Sequence, residues 1–245
     1  KYGLIWIWMG NTALADHHDI FEIKHYDNPS WGINRGDAME LECNYLLMCD
    51  NLLDPTHVAW VHAGSFGQAA TKSAPLRVKK TNDGVIVHRW MMDVEPAPFY
   101  KKVVGFNGNC DRLQHYEVRY PSNALIKAIF TPAGTGGSEG KLHDDVFIMD
   151  SYNFMTPVTE SKTRYYWFQL RNIRPDDSAL SQLMTDDVQQ AFEEDRNVLN
   201  EVQKGMTNKT SPHIDLPIDA GQLRFRRQLQ AMINEEEQVD KQMAQ

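Results

Sequence analysis

The chain has 245 residues, 42% of them hydrophobic and 24% charged, with a formal net charge of −8. This length suits one large core, because single cores grow to about 250 residues before chains split. The acidic balance excludes general nucleic-acid binding, which needs an excess of Lys and Arg to neutralise phosphates.

In chain order, the opening KYGLIWIWMG is almost continuously apolar from Tyr2 to Met9. It is far short of the roughly 20 apolar residues of a membrane span and lacks a signal-peptide cleavage site, so no membrane partner is expected. It reads as a buried strand. The chain starts at Lys1, directly on that strand, so it is expected to continue upstream. Phe21 to Tyr26 alternates and reads as a second strand. Met39 to His62 begins extended and turns helical, with Leu46, Leu47, Asn51, Asp54 and Val58 at three- and four-residue spacing. Pro55 interrupts this pattern, and a short helix is expected to begin near Asp54. His62 to Pro75 is a loop rich in Gly, Ser and Ala.

From Leu76 to Leu170 the text is strand-like. Asn82-Asp83-Gly84 between two alternating runs predicts a hairpin, and Ala133 to Lys141 predicts a flexible hairpin loop. From Ser178 the period becomes helical, with Leu180, Leu183, Val188, Phe192, Val198, Leu199 and Val202 on one face and an end at Gly205. A polar loop with Pro212 and Pro217 follows, then an amphipathic helix from Gly221 to the end. Strands followed by helices predict an α+β domain, with helices on one face of an antiparallel sheet. Cys43, Cys49 and Cys110 form no disulfide framework, and a reducing cytoplasm is the expected compartment.

The chemistry is concentrated in NLLDPTHVAWVH, Asn51 to His62. On a regular helix His57 and His62 would lie roughly 140° apart, so they can share a metal only if the helix breaks between them. Pro55 and Gly64 permit that, through a wide turn or a helix-to-loop break. The four-residue spacing of H-E-x-x-H zinc sites is absent. Two imidazoles and one carboxylate with open positions suit oxygen-activating ferrous iron. Among Glu193, Glu194 and Asp195, Asp195 shares the inward side with Phe192 and Val198, whereas Glu193 turns to solvent. An acidic pair such as Glu194-Asp195 taken alone reads as a solvated face. The residues by themselves leave open a zinc hydrolase using the same donors, with Asp54 as its base, and a metal-free ligand-binding domain.

The pattern Asn-x-x-Asp-x-x-His-x-x-x-x-His resembles the iron-binding segment in the catalytic domain of Rieske non-haem iron oxygenases. FEEDRNVLNEVQKG resembles the helix that supplies their third ligand, KYGLIWIWMG the strand that follows their Rieske domain, and RFRRQLQAMINEE the last helix of the vanillate O-demethylase, dicamba monooxygenase and toluenesulfonate methyl-monooxygenase group. The resemblance spans the chain in order and implies a helix-grip-like fold. It implies that His57, His62 and Asp195 bind Fe(II). Asp54 would bridge to the cluster of a neighbouring subunit, and Asn51 would lie near the iron. Residues 1–245 would be one catalytic domain. Its strands from Ala124 to Thr156 would line the pocket, with Asn153, Ile126 and Lys127 as substrate contacts and Lys127 or Arg171 available to an acidic substrate group. The expected reaction is O-demethylation or hydroxylation of a small aromatic acid or sulfonate with O2. Electrons would come from NAD(P)H through a reductase or ferredoxin, in a head-to-tail homotrimer. A Rieske [2Fe-2S] cluster needs Cys-x-His and Cys-x-x-His, and none of the three cysteines begins such a motif. The cluster domain is therefore expected upstream of Lys1.

Overall fold

The alternating runs after Leu76 form the centre of an antiparallel sheet. In the computed structural model, residues 1–72, 74–208 and 214–243 are described. The strands are β1 (Gly32–Arg35), β2 (Met39–Leu41), β3 (Arg77–Lys80), β4 (Gly84–Val94), β5 (Cys110–Arg119), β6 (Asn123–Pro132), β7 (Phe147–Thr159) and β8 (Lys162–Arg171). Their order is β1-β8-β7-β6-β5-β4-β3, with β2 also paired to β8, and every pairing is antiparallel. The Asn82-Asp83-Gly84 turn joins β3 to β4 as expected. A side chain at Gly84 would place its Cβ 2.2 Å from the Val118 carbonyl oxygen, so only glycine fits there.

The helices are α1 (Tyr45–Asn51), α2 (Pro98–Val103), α3 (Ser178–Thr207) and α4 (Ala220–Met243). α2 lies within the stretch read as strands. Proline at its first turn starts it, and Phe99, Tyr100 and Val103 are buried. α3 buries Leu180, Met184, Val188, Ala191, Asp195 and Leu199, while Leu183, Val198 and Val202 remain exposed. Its apolar stripe is thus narrower than the sequence pattern suggests. α4 buries Phe225 and Leu229 against the sheet, and Arg226 fixes it to α1 with a forked pair of bonds to Asp50.

Strand alternation divides the sheet into two faces. Met149, Met155, Tyr165 and Trp167 join the helix-side core. Tyr152, Phe154, Phe168 and Leu170 point to the other side, where Phe21 and Ile23 cover them with Tyr2, Leu4, Trp6 and Tyr26. The two N-terminal segments expected as strands, Tyr2–Met9 and Phe21–Tyr26, therefore form no ladder. They lie across a sheet face, not along an edge; Trp6 meets Phe154 edge-on at 5.5 Å.

All three cysteines are free and buried. No described helix is long and apolar enough to cross a membrane. Between β6 and β7 the expected loop contains one turn of 3-10 helix, Gly137–Glu139. Ser73 of the Gly/Ser/Ala-rich loop, Pro212 of the polar loop and the last two residues of the C-terminal helix lie outside the described residues.

Candidate metal centre

α1 ends at Asn51 by tightening, with the Leu53 N–H donating to the Asp50 carbonyl and the Asp54 N–H to that of Asn51. The Asp54 carboxylate accepts the Thr56 N–H at 2.7 Å and also the Thr56 hydroxyl, a local bond that competes with helix. The chain then makes a single 3-10 turn, His57–Ala59. The carbonyl of His57 takes N–H bonds from Trp60 and Val61, and that of His62 from Ser65, Phe66 and Gly67. The short helix expected near Asp54 is this tight turn, and it cancels the angular mismatch of the five-residue spacing. The two imidazole centres end 5.2 Å apart at 78°.

Asp195 completes the group from α3. Its Oδ1 is 3.1 Å from His62 Nε2 and 3.6 Å from His57 Nε2, and one ligand atom from each residue lies within 4.8 Å of the others. Side-chain exposure is 12% for His57, 5% for His62 and 4% for Asp195. Although close to both rings, Asp195 Oδ1 has no hydrogen bond of acceptable geometry. A buried carboxylate oxygen facing two imidazole nitrogens is a donor set that suits a cation.

The outer ring nitrogens are also held. His57 Nδ1 donates to the Asp54 backbone carbonyl at 2.5 Å, and His62 Nδ1 to Glu194 Oε2 at 2.7 Å. Such partners fix the tautomer that leaves Nε2 free for a metal. Burial lowers the basicity of His62, but Asp195 and Glu194 outweigh it, so its pKa lies above the ordinary imidazole value. Glu194, read from sequence as solvated, is thus part of the centre. The signal for it was available: a ligating histidine needs a second partner, and Glu194 is the neighbour of the inward-facing Asp195. Glu193 instead pairs with Arg196.

The Asp54 carboxylate bonds Thr56, and its carbonyl, not its carboxylate, holds His57. Asn51 ends α1 with a buried Nδ2 that lacks a partner among the described residues. Asn153 and Ile126 face the helix side of the sheet: Asn153 lies opposite Trp167, and Ile126 opposite Ser151. The buried Tyr165 phenol donates to Asn153 Oδ1 at 2.6 Å. Burial first, and the Asp195 charge second, hold it protonated. Lys127 corrects the expectation. It is one residue from Ile126 and so projects from the opposite face, where its ammonium lies 2.9 Å from the buried Asp150. Arg171 is fully buried and bonds Arg174 O, Asp177 O and Ser181 Oγ. Through these bonds, all from Nη2, it ties β8 to the start of α3.

The profile of vanillate O-demethylase oxygenase C-terminal domains matches residues 41–235. The vanillate O-demethylase oxygenase subunit of Pseudomonas sp. (strain ATCC 19151) is 31% identical, over 99% of this chain and 75% of that one. The iron-sulfur subunit of the toluene-4-sulfonate monooxygenase system of Comamonas testosteroni is 32% identical, over 89% and 64%. Between them, the chain spans 64% to 75% of these curated relatives. The crystal structure of dicamba monooxygenase bound to 3,6-dichlorosalicylic acid superposes with a TM-score of 0.87 at 23% identity, over 96% of this chain and 69% of that one. An open antiparallel sheet with helices on one face, matched to relatives of this kind, defines the catalytic domain of a Rieske-type oxygenase. Within that class, the chain belongs to the vanillate O-demethylase oxygenase C-terminal domain family. The named relatives are oxygenase components, which favours neither a hydrolase nor a metal-free binding domain.

Proposed function

We propose that His57, His62 and Asp195 hold a mononuclear ferrous ion, and that the chain is the catalytic part of a terminal oxygenase component. Its substrate would be a small aromatic acid or sulfonate, demethylated at a methoxyl or hydroxylated at a methyl or ring carbon. The observation that carries this reading is the convergence of three donor atoms, two buried and His57 partly so, with the far nitrogen of each imidazole already bonded. A dicamba monooxygenase structure with non-heme iron shares this fold at a TM-score of 0.78, and vanillate and toluene-4-sulfonate appear in the names of relatives.

When bound, ferrous iron supplies the activation of O2 that places oxygen into a nearby C–H bond. The residues of this chain position and exclude. The 3-10 turn presents both Nε2 atoms to one point. Asp195 would supply the third donor, a carboxylate, to a ferrous ion. Asn153, held by Tyr165 at Oδ1 and by the Ser151 carbonyl at Nδ2, would offer its remaining amide hydrogen on the face of the sheet that carries the centre, and Ile126 an apolar wall beside it. Asn51 Nδ2 is a further donor without a partner among the described residues. Asp54, half-buried at the start of the loop, would link the centre to a cluster held by a neighbouring subunit of a homotrimer. The [2Fe-2S] cluster would be carried by a domain upstream of Lys1. Electrons would arrive from NAD(P)H through a reductase or ferredoxin, in the cytoplasm.

The test is anaerobic reconstitution with ferrous ion followed by metal analysis, for the wild type, His57→Ala and Asp195→Ala. About one iron per chain, lost in both variants, is expected. Zinc alone, or no metal, in the wild type would end this reading.

A further inference from the structure

Two arginines lie beneath the ligand loop, and the proposed chemistry leaves them unexplained. Arg89 on β4 is 3% exposed and Arg112 on β5 is 2% exposed. A buried cation ordinarily lies against a carboxylate, because desolvation is otherwise uncompensated. The hydrogen bonds of these two end instead on neutral oxygens. Arg89 donates from Nη2 to the Pro55 carbonyl at 3.0 Å, from Nη1 to the Ala74 carbonyl at 3.1 Å, and from Nε to Gln114 Oε1 at 2.7 Å. Arg112 donates from Nη1 to Gln68 Oε1 at 2.6 Å and lies over the Tyr100 and Phe130 rings.

The acceptors of Arg89 are telling. Pro55 and Ala74 are the two ends of the segment that contains both histidine ligands, and one planar guanidinium joins them. Pro55 precedes His57 by two residues, and Asp54, next to it, supplies the carbonyl that holds His57 Nδ1. On the far side, Arg112 and Gln68 secure the chain just beyond His62. The loop is therefore fixed from the sheet at both ends, while Asp195 arrives from α3.

We infer that Arg89 is a positioning residue for the metal centre: its three-way fork closes the 55–74 loop and sets His57 and His62 at the distance Asp195 requires. This rests on the metal reading of the trio. A lysine would keep the charge but not the planar fork that reaches three acceptors at once.

The test uses Co(II) as probe, titrated into the metal-free 245-residue chain and followed by its visible ligand-field spectrum, with a thermal melt of each variant. The variants are Arg89→Lys and, as control, Arg171→Lys, an equally buried arginine that serves only β8 and α3. Arg89→Lys is expected to melt cooperatively, to bind Co(II) about tenfold more weakly and to show an altered spectrum, as loss of an outer support does at other metal sites. Arg171→Lys is expected to lower the melting temperature with Co(II) affinity unchanged. Unchanged affinity and spectrum in Arg89→Lys, or equal weakening in the control, would overturn the inference. Should Arg89→Lys fail to fold, Gln114→Met removes only the Nε acceptor: a weakened site supports the clamp and an unaltered one overturns it. A wild type that binds no Co(II) would overturn the metal reading itself, a distinguishable result.

Discussion

Asp195 is the charged member of a buried stripe on α3 otherwise made of Leu180, Met184, Val188, Ala191 and Leu199. A carboxylate there costs desolvation energy that an apolar residue would not, and the two imidazoles, with the cation they would share, offset it. Glu194 beside it is 35% exposed at its side chain and bonds His62. Glu194→Gln is expected to keep the fold and to lower metal affinity about 10- to 100-fold, because the partner that fixes the His62 tautomer is weakened; metal titration by calorimetry checks this. Glu117, on the opposite sheet face, reports on acid stability. Burial raises its pKa, but His115 and Arg119 outweigh burial and hold the carboxyl down at about 2. A folded-state pKa below the unfolded value gives stability that is present above about pH 4.5 and lost as pH falls towards 2, up to about 3 kcal/mol. Urea unfolding of Glu117→Gln should therefore show a stability deficit near neutral pH that narrows between pH 5 and pH 3.

At the scale of elements, the ligand loop is built around close backbone approaches. A Cβ at Gly67 would lie 2.7 Å from the Val58 carbonyl oxygen and 3.0 Å from that of His62. Gly67→Ala is expected to cost about 1–3 kcal/mol and to weaken metal binding, since both obstructing atoms belong to the loop; melting and metal titration together would show it. The hairpin at Gly84 and the helices α3 and α4 were legible from turn chemistry and period. α2 was not, because six residues carry too little periodicity to stand out among strands. The N-terminal pair was misread for a related reason. Phe21–Tyr26 alternates as a paired strand does because it lies across a sheet face, and Tyr2–Met9, expected as a buried strand from its apolar run, leaves Ile5, Ile7 and Met9 exposed.

At the scale of the whole molecule, the sheet needs cover on both faces, and the helices supply only one. Residues 1–31 cover Tyr152, Phe154 and Phe168 on the other. Deleting them is expected to lower the melting temperature and to raise binding of a hydrophobic dye, with the metal centre, built on the helix side, still able to form. A deletion without effect on either would show that this covering adds nothing to the fold. The sequence by itself determined the α+β class, the helices α3 and α4 and the hairpin at Gly84, because turn chemistry and local periodicity are written in neighbouring residues, while His57, His62 and Asp195 were named by donor type and by resemblance to a known family. Only the tertiary structure decided that a 3-10 turn brings His57 and His62 together. Only it showed that Glu194 is a partner rather than a solvated charge, that Lys127 faces Asp150, and that Arg89 joins Pro55 to Ala74. Those outcomes depend on which way a strand or helix is turned and on what arrives opposite it, as Glu194 does for His62 from 132 residues away.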